Sequence, residues 1–142
     1  METTWDGLPV AREPPYACCV VVWREAVDGR EFLVLHRAHE GPDYAGEWAW
    51  TPPSGARQPA EDPDAAAERE LREETGLDLP ISRIEPLTED VALYLVEAPA
   101  DAEVALDAEH DAFRWLSLEA AAALCLPAVV ADGLRHAAAM LA

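Results

Sequence analysis

Apolar residues fall into short runs of strand length along the first half of the chain. Tyr16–Trp23 (YACCVVVW) and Glu31–His36 (EFLVLH) are rich in β-favouring residues and predict two strands joined by a turn around Asp28-Gly29. Gly41–Gly46 predicts a loop, and Trp48–Thr51 a short aromatic segment stopped by Pro52-Pro53. Ile81–Leu87 and Val91–Ala98 predict two more strands turning at Thr88-Glu89-Asp90, and Phe113–Leu116 a last short one.

The pattern changes period in three places. Asp62 is placed to cap a helix, Pro63 fits its first position, and Gly76 terminates it, with Ala, Glu, Arg and Leu between. Ser117 caps a second helix running to about Leu124, and Pro127 opens a third running to Met140. Strands before and after isolated helices predict an α/β (α+β) sandwich, a mixed β-sheet flanked by helices. Residues 1–142 leave room for one domain with a single core. No repeat, linker or low-complexity tract interrupts them, and neither a Gly-rich dinucleotide loop nor a Walker sequence occurs.

Composition narrows the function. Half the chain is apolar (51%), which excludes disorder. No apolar run reaches the roughly 18–20 residues that span a bilayer. The start, Met1–Asp6, lacks the basic patch and apolar stretch of a signal peptide, so the cytoplasm is the expected compartment. The formal charge of −18 argues against nucleic-acid polymers and anionic membranes as partners. There is no Lys, so a phosphate-bearing substrate would depend on metal ions and a few Arg. Cys18, Cys19 and Cys125 lack metal-ligand spacing and are expected to be reduced, buried small hydrophobes.

Glu70, Glu73 and Glu74 stand at i, i+3 and i+4, on one helical face about 5–6 Å apart. Three like charges so placed repel one another, and hard divalent cations such as Mg²⁺ or Mn²⁺ relieve the repulsion. Taken alone, the same spacing also fits a solvated acidic face. The surroundings go further. Gly55, five residues, Glu61, seven residues, then Arg69-Glu70-Leu71-Arg72-Glu73-Glu74-Thr75-Gly76-Leu77 supply nine specified positions at fixed spacing. Gly55–Leu77 thus resembles the Nudix box, and the chain is identified as resembling the Nudix hydrolases.

That resemblance implies a loop–helix–loop beside a mixed sheet and a Mg²⁺ or Mn²⁺ site on Glu70, Glu73 and Glu74, with Glu74 the expected direct ligand. It implies that a backbone carbonyl of Ser54 or Gly55 completes the site. It also implies that Arg69 pairs with Glu61 to hold the loop against the helix. The implied reaction is attack of water on phosphorus in a nucleoside diphosphate linked to another moiety.

Two further segments resemble the asymmetrical diadenosine tetraphosphate hydrolases: Trp50–Gly55 (WTPPSG), and Ala108–Leu116 followed by Ser117–Ala121. Glu31–Arg37 also matches their second strand. The resemblance implies that Glu109 reaches the metal site as a further ligand or general base, unless it is a plain surface glutamate. Phe113 would stack on a base or belong to the core. Trp48 and Trp50 would line a pocket or pack internally. Where that branch has Lys before the first box glycine, this chain has Ser54, and Arg37 or Arg57 is the expected replacement. Gln58 stands in a usual Glu position. Ala60 replaces a Gly and is expected to require a loop without left-handed backbone.

The expected activity is hydrolysis of nucleoside polyphosphates, with diadenosine tetraphosphate, cut to ATP and AMP, the first candidate. The short Ile84–Ala98 stretch points to smaller substrates, and the alternative is a nucleoside triphosphate pyrophosphohydrolase. A nucleotide-binding regulator that has lost turnover is the reading from another class. A monomer or a homodimer is compatible with the sequence.

Overall fold

A computed structural model of the chain describes residues 7–141, so the opening segment Met1–Asp6 lies outside the described residues. Seven strands and three helices follow in the order β1 (Ala17–Ala26), β2 (Gly29–Arg37), β3 (Trp50–Thr51), β4 (Ser54–Ala56), α1 (Pro63–Thr75), β5 (Ser82–Ile84), β6 (Val91–Glu97), β7 (His110–Leu116), α2 (Leu118–Leu124) and α3 (Ala128–Ala139).

The strands make one mixed sheet in the order β3-β2-β1-β6-β5, with β4 also on β1 and β7 also on β2. β1 and β2 form a hairpin, paired from Trp23 opposite Phe32 to Ala26 opposite Gly29. Beyond that they part. Ala17–Cys19 of β1 pairs with β4, and Leu35-His36 of β2 pairs with β3. The β3–β4 turn at Pro52-Pro53 therefore wedges into the split, and Val20 N–H donates to the Pro53 carbonyl at 2.8 Å. The other edge of β1 runs parallel to β6 over Ala17–Trp23.

Alternation along these strands sorts their apolar runs onto two faces. Val20, Val22, Leu33, Leu35 and Tyr94 pack with Leu71 of α1. Val21, Phe32, Val34, Leu93 and Leu95 pack with Leu134 of α3. A strand buried on both sides needs a continuous apolar run, which is why Tyr16–Trp23 shows no polar alternation.

Helix α1 begins and ends as its sequence predicts. The Asp62 carboxylate accepts from Asp64 and Ala65 N–H, Pro63 is its first residue, and Gly76 closes it at φ 73°, donating its N–H to the Arg72 carbonyl. That left-handed φ favours glycine. Other boundaries moved. β1, β2 and β7 are longer than their apolar cores, because ladder pairing carries polar residues such as Arg24, Glu31 and His110. The expected strand Ile81–Leu87 shrinks to Ser82–Ile84, paired with Leu93–Leu95. β4, with only Ser-Gly-Ala, has no apolar signature and was not predicted.

Candidate active site on the carboxylate face of α1

Helix α1 lies against β1 and β4. Ala66, Ala67 and Leu71 enter the core, while Glu70 and Glu74, one turn apart, are drawn down beside the β4 strand. Glu70 and Glu74 are buried to 8% and 2% exposure. Glu74 accepts a hydrogen bond from Ser54 N–H at 3.1 Å. The Glu70 carboxylate lies directly over Gly55, where a Cβ would displace it from its present position. Burial, then hydrogen bonding to Glu70 and its nearby charge, push the Glu74 carboxyl well above the usual range.

Glu73 takes the outer side of the helix, with its side chain 55% exposed. Among the described residues no three His, Cys, Asp or Glu side chains converge into a ready-made metal cage. The three-glutamate face expected from spacing is therefore split: two carboxylates inside and one at the rim. Helical geometry accounts for the split, since Glu70 and Glu74 at i and i+4 share the strip facing β4 and Glu73 lies off it, and Arg69 bridges Glu70 to Glu73.

Arg69 grips Glu61 bidentately, Nε to Oε2 at 2.8 Å and Nη2 to Oε1 at 3.0 Å. Its Nη1 reaches Glu70 at 2.9 Å and Glu73 at 3.2 Å, and Nη2 reaches the Ala56 carbonyl. Hydrogen bonding to Arg69 lowers the Glu61 carboxyl and reciprocally raises the guanidinium. Glu61 also accepts from Gln58 N–H at 3.0 Å, closing the loop before the helix. The expected Arg69–Glu61 brace is present.

Two expectations for this loop are corrected. Ala60 does adopt left-handed backbone, at φ 62°. The Gln58–Glu61 turn, closed by Glu61 N–H to the Gln58 carbonyl at 3.1 Å, holds it there. Arg57 is not a phosphate-facing cation. It is 4% exposed, and its three guanidinium nitrogens donate to the carbonyls of Pro15, Glu61 and Glu13 at 2.6–2.7 Å. It stitches the segment before β1 to the box loop.

A cleft of about 850 Å³ opens over this face, lined by Ser54, Gly55, Arg69, Glu70, Glu73 and Glu74, and also by Arg37, Trp48 and Glu109. Its size suits a drug-sized ligand. Glu109 precedes β7 and is exposed. Trp48 is 44% exposed and held at φ 65°. Trp50 instead is buried, 4.8 Å from the His36 ring and covered by the Arg114 guanidinium at 4.7 Å. Phe113 of β7 pairs with Leu35 of β2, is exposed, and does not line the cleft.

Sequence reasoning missed two contributors. His110 puts Nε2 3.9 Å from Glu74 while Nδ1 meets Asp107 at 2.8 Å. The far wall of the cleft comes from α3, and its one signal was a glycine inside an Ala-rich helix. Cys18, Cys19 and Cys125 are free thiols, and burial pushes them up to about 11, 12 and 11. No helix among the described residues is long and apolar enough to cross a membrane.

Comparison with known proteins adds four findings. Residues 13–137 match the family model described as NUDIX domain. The chain is 31% identical over 140 residues to the asymmetrical bis(5'-nucleosyl)-tetraphosphatase of Sus scrofa, covering 82% of this chain and 91% of that one. It is also 35% identical over 133 residues to an octanoyltransferase of Myxococcus xanthus, but spans only 36% of that longer protein. Among solved structures, a C. elegans Ap4A hydrolase binary complex superposes with TM-score 0.71 at 29% identity, covering 88% of this chain and 96% of that one.

Proposed function

The chain belongs to the Nudix family, and from that membership we propose that it is a Mg²⁺- or Mn²⁺-dependent hydrolase of nucleoside polyphosphates, with diadenosine tetraphosphate the first substrate to test. One observation carries the reading: Glu70 and Glu74 are buried side by side, and while Arg69 meets Glu70, the groups that offset Glu74's charge among the described residues are a backbone N–H and a distant imidazole. Buried like charges are costly unless a cation joins them. An oxygen donor set of one or two carboxylates with room for waters and phosphates suits Mg²⁺ or Mn²⁺.

In this reading Glu70 and Glu74 would hold the cation, with the Ser54–Gly55 backbone and Glu73 as the further groups that would complete the site. When bound, the cation neutralises phosphate charge and lowers the pKa of a coordinated water. Arg69, fixed by Glu61, keeps Glu70 aimed inward. Glu109, which lines the same cleft, takes the proton of the attacking water or adds a further carboxylate to the site. Arg37, one of two arginines lining the cleft, serves substrate phosphates in place of a lysine at position 54, and Trp48 offers an aromatic wall.

The tetraphosphatase reading is supported by the likeness to tetraphosphatases along most of both chains. The test is turnover of the full chain with Mg²⁺ or Mn²⁺ on diadenosine tetraphosphate and a nucleoside triphosphate panel, with products identified. ATP plus AMP is the expected outcome. A nucleoside monophosphate plus pyrophosphate from triphosphates alone would replace it with the pyrophosphohydrolase reading, and no turnover of any nucleotide would overturn both.

A further inference from the structure

The cleft has two unlike parts. Carboxylates and Arg37 make up one part of its lining; the other part is Leu87, Thr88, Val91 and Leu93 with Val129, Val130 and Gly133 of α3. Those three α3 residues share a helical strip, since neighbours at i+3 and i+4 lie on one face. Ala131, Leu134 and Ala137 point instead into the core.

Gly133 is the anomaly in that strip. Glycine is the poorest helix former after proline, and a helix ordinarily keeps one where a neighbour packs too close for a Cβ. Here a Cβ would meet nothing within 4 Å. Nor is Gly133 among the residues with positive φ. The helix uses alanine at its other small positions, Ala128, Ala131, Ala137, Ala138 and Ala139. What the missing side chain leaves is space in the apolar part of the cleft.

We propose that Gly133 is a specificity-determining position, which by lacking a side chain opens the apolar part of the cleft to the flat, uncharged heterocycle of a nucleotide. The inference rests on the proposed nucleotide chemistry and extends it to what selects the non-phosphate moiety. Of Leu87, Thr88, Val91, Leu93, Val129 and Val130, Thr88 alone carries a side-chain hydrogen-bonding group, and its hydroxyl already accepts from Asp90 N–H, so this wall selects mainly by size and apolarity, and a phosphate would be disfavoured there.

The test is the series Gly133→Ala, Gly133→Val and Gly133→Leu in the full chain, with KM and kcat measured for ATP and CTP and Tm recorded for each. The KM for ATP is expected to climb along the series, by about tenfold or more at leucine. The larger purine should suffer more than the pyrimidine, and kcat should stay within about threefold. Unchanged KM throughout, equal weakening of ATP and CTP, or a fall in kcat alone would overturn the inference. If leucine prevents folding, the alanine and valine steps decide by the same criteria. If the wild type hydrolyses neither triphosphate, only the pyrophosphohydrolase reading fails, the tetraphosphatase reading is decided separately on diadenosine tetraphosphate, and the series is read on AMP binding by calorimetry. Graded weakening then supports the role of Gly133; equal binding, or none to the wild type, overturns it.

Discussion

Arg57 and Glu74 sit on either side of the loop–helix junction, and both are charged side chains buried to 4% and 2% exposure. Their surroundings could hardly differ more. Every guanidinium nitrogen of Arg57 donates to a backbone carbonyl, whereas Glu74 faces a second carboxylate and is pushed toward its neutral form. The first is a satisfied charge that ties chain segments together. The second is a charge left short of partners, which a fold tolerates where chemistry needs it. Within one motif, then, burial alone does not mark a functional residue; the completeness of its partners does.

The largest expected effect breaks the comparison at Glu74. Glu74→Gln removes a charge but keeps the shape, and kcat should fall on the order of a thousandfold if the proposed cation site loses a ligand. In a chelator the same variant should melt no lower than the wild type, since a buried like-charge contact is gone. Arg57→Ala should do the reverse. Three carbonyls lose a charged donor, which costs about 3 kcal/mol in urea unfolding, while the folded fraction keeps its KM.

A third test sharpens the contrast by pH. The Glu61 carboxyl is lowered by Arg69, so its contribution is present above the ordinary carboxylate pKa and disappears as pH falls through the lowered folded value. The wild type should therefore lose more stability than Glu61→Gln between about pH 5 and pH 3 in acid unfolding scans. The smallest effect lies at Ala60, held at φ 62°. Ala60→Gly should gain about 1 kcal/mol in the same urea assay by relieving left-handed strain.

Much of this molecule was legible in the sequence because its signals are local. Asp62, Pro63 and Gly76 act on the helix they bound, and the spacing of Glu70 and Glu74 sets their shared face directly. The Arg69–Glu61 pair was legible through the motif that fixes its spacing. What was not legible depends on distant chain. Arg57 reads as a free cation until Glu13 and Pro15 supply its acceptors. Trp50 and Trp48 look alike in sequence, and only the sheet decides that one packs beneath Arg114 and the other edges the cleft. The left-handed Ala60 defied a sound residue preference because a closed turn, with Glu61 held by Arg69, outweighs it. β4 owes its existence to the gap where β1 and β2 part, which no property of Ser54, Gly55 and Ala56 reveals.

The central claim is that the buried Glu70–Glu74 pair is a divalent-cation site. Its most direct test is Mn²⁺ titration of the full chain, followed by electron paramagnetic resonance, in the wild type and in Glu74→Gln. The account expects saturable Mn²⁺ binding by the wild type, displaced by Mg²⁺, and binding weakened by about tenfold or more in the variant. Equal Mn²⁺ affinity in both proteins, or no binding to the wild type, would contradict it.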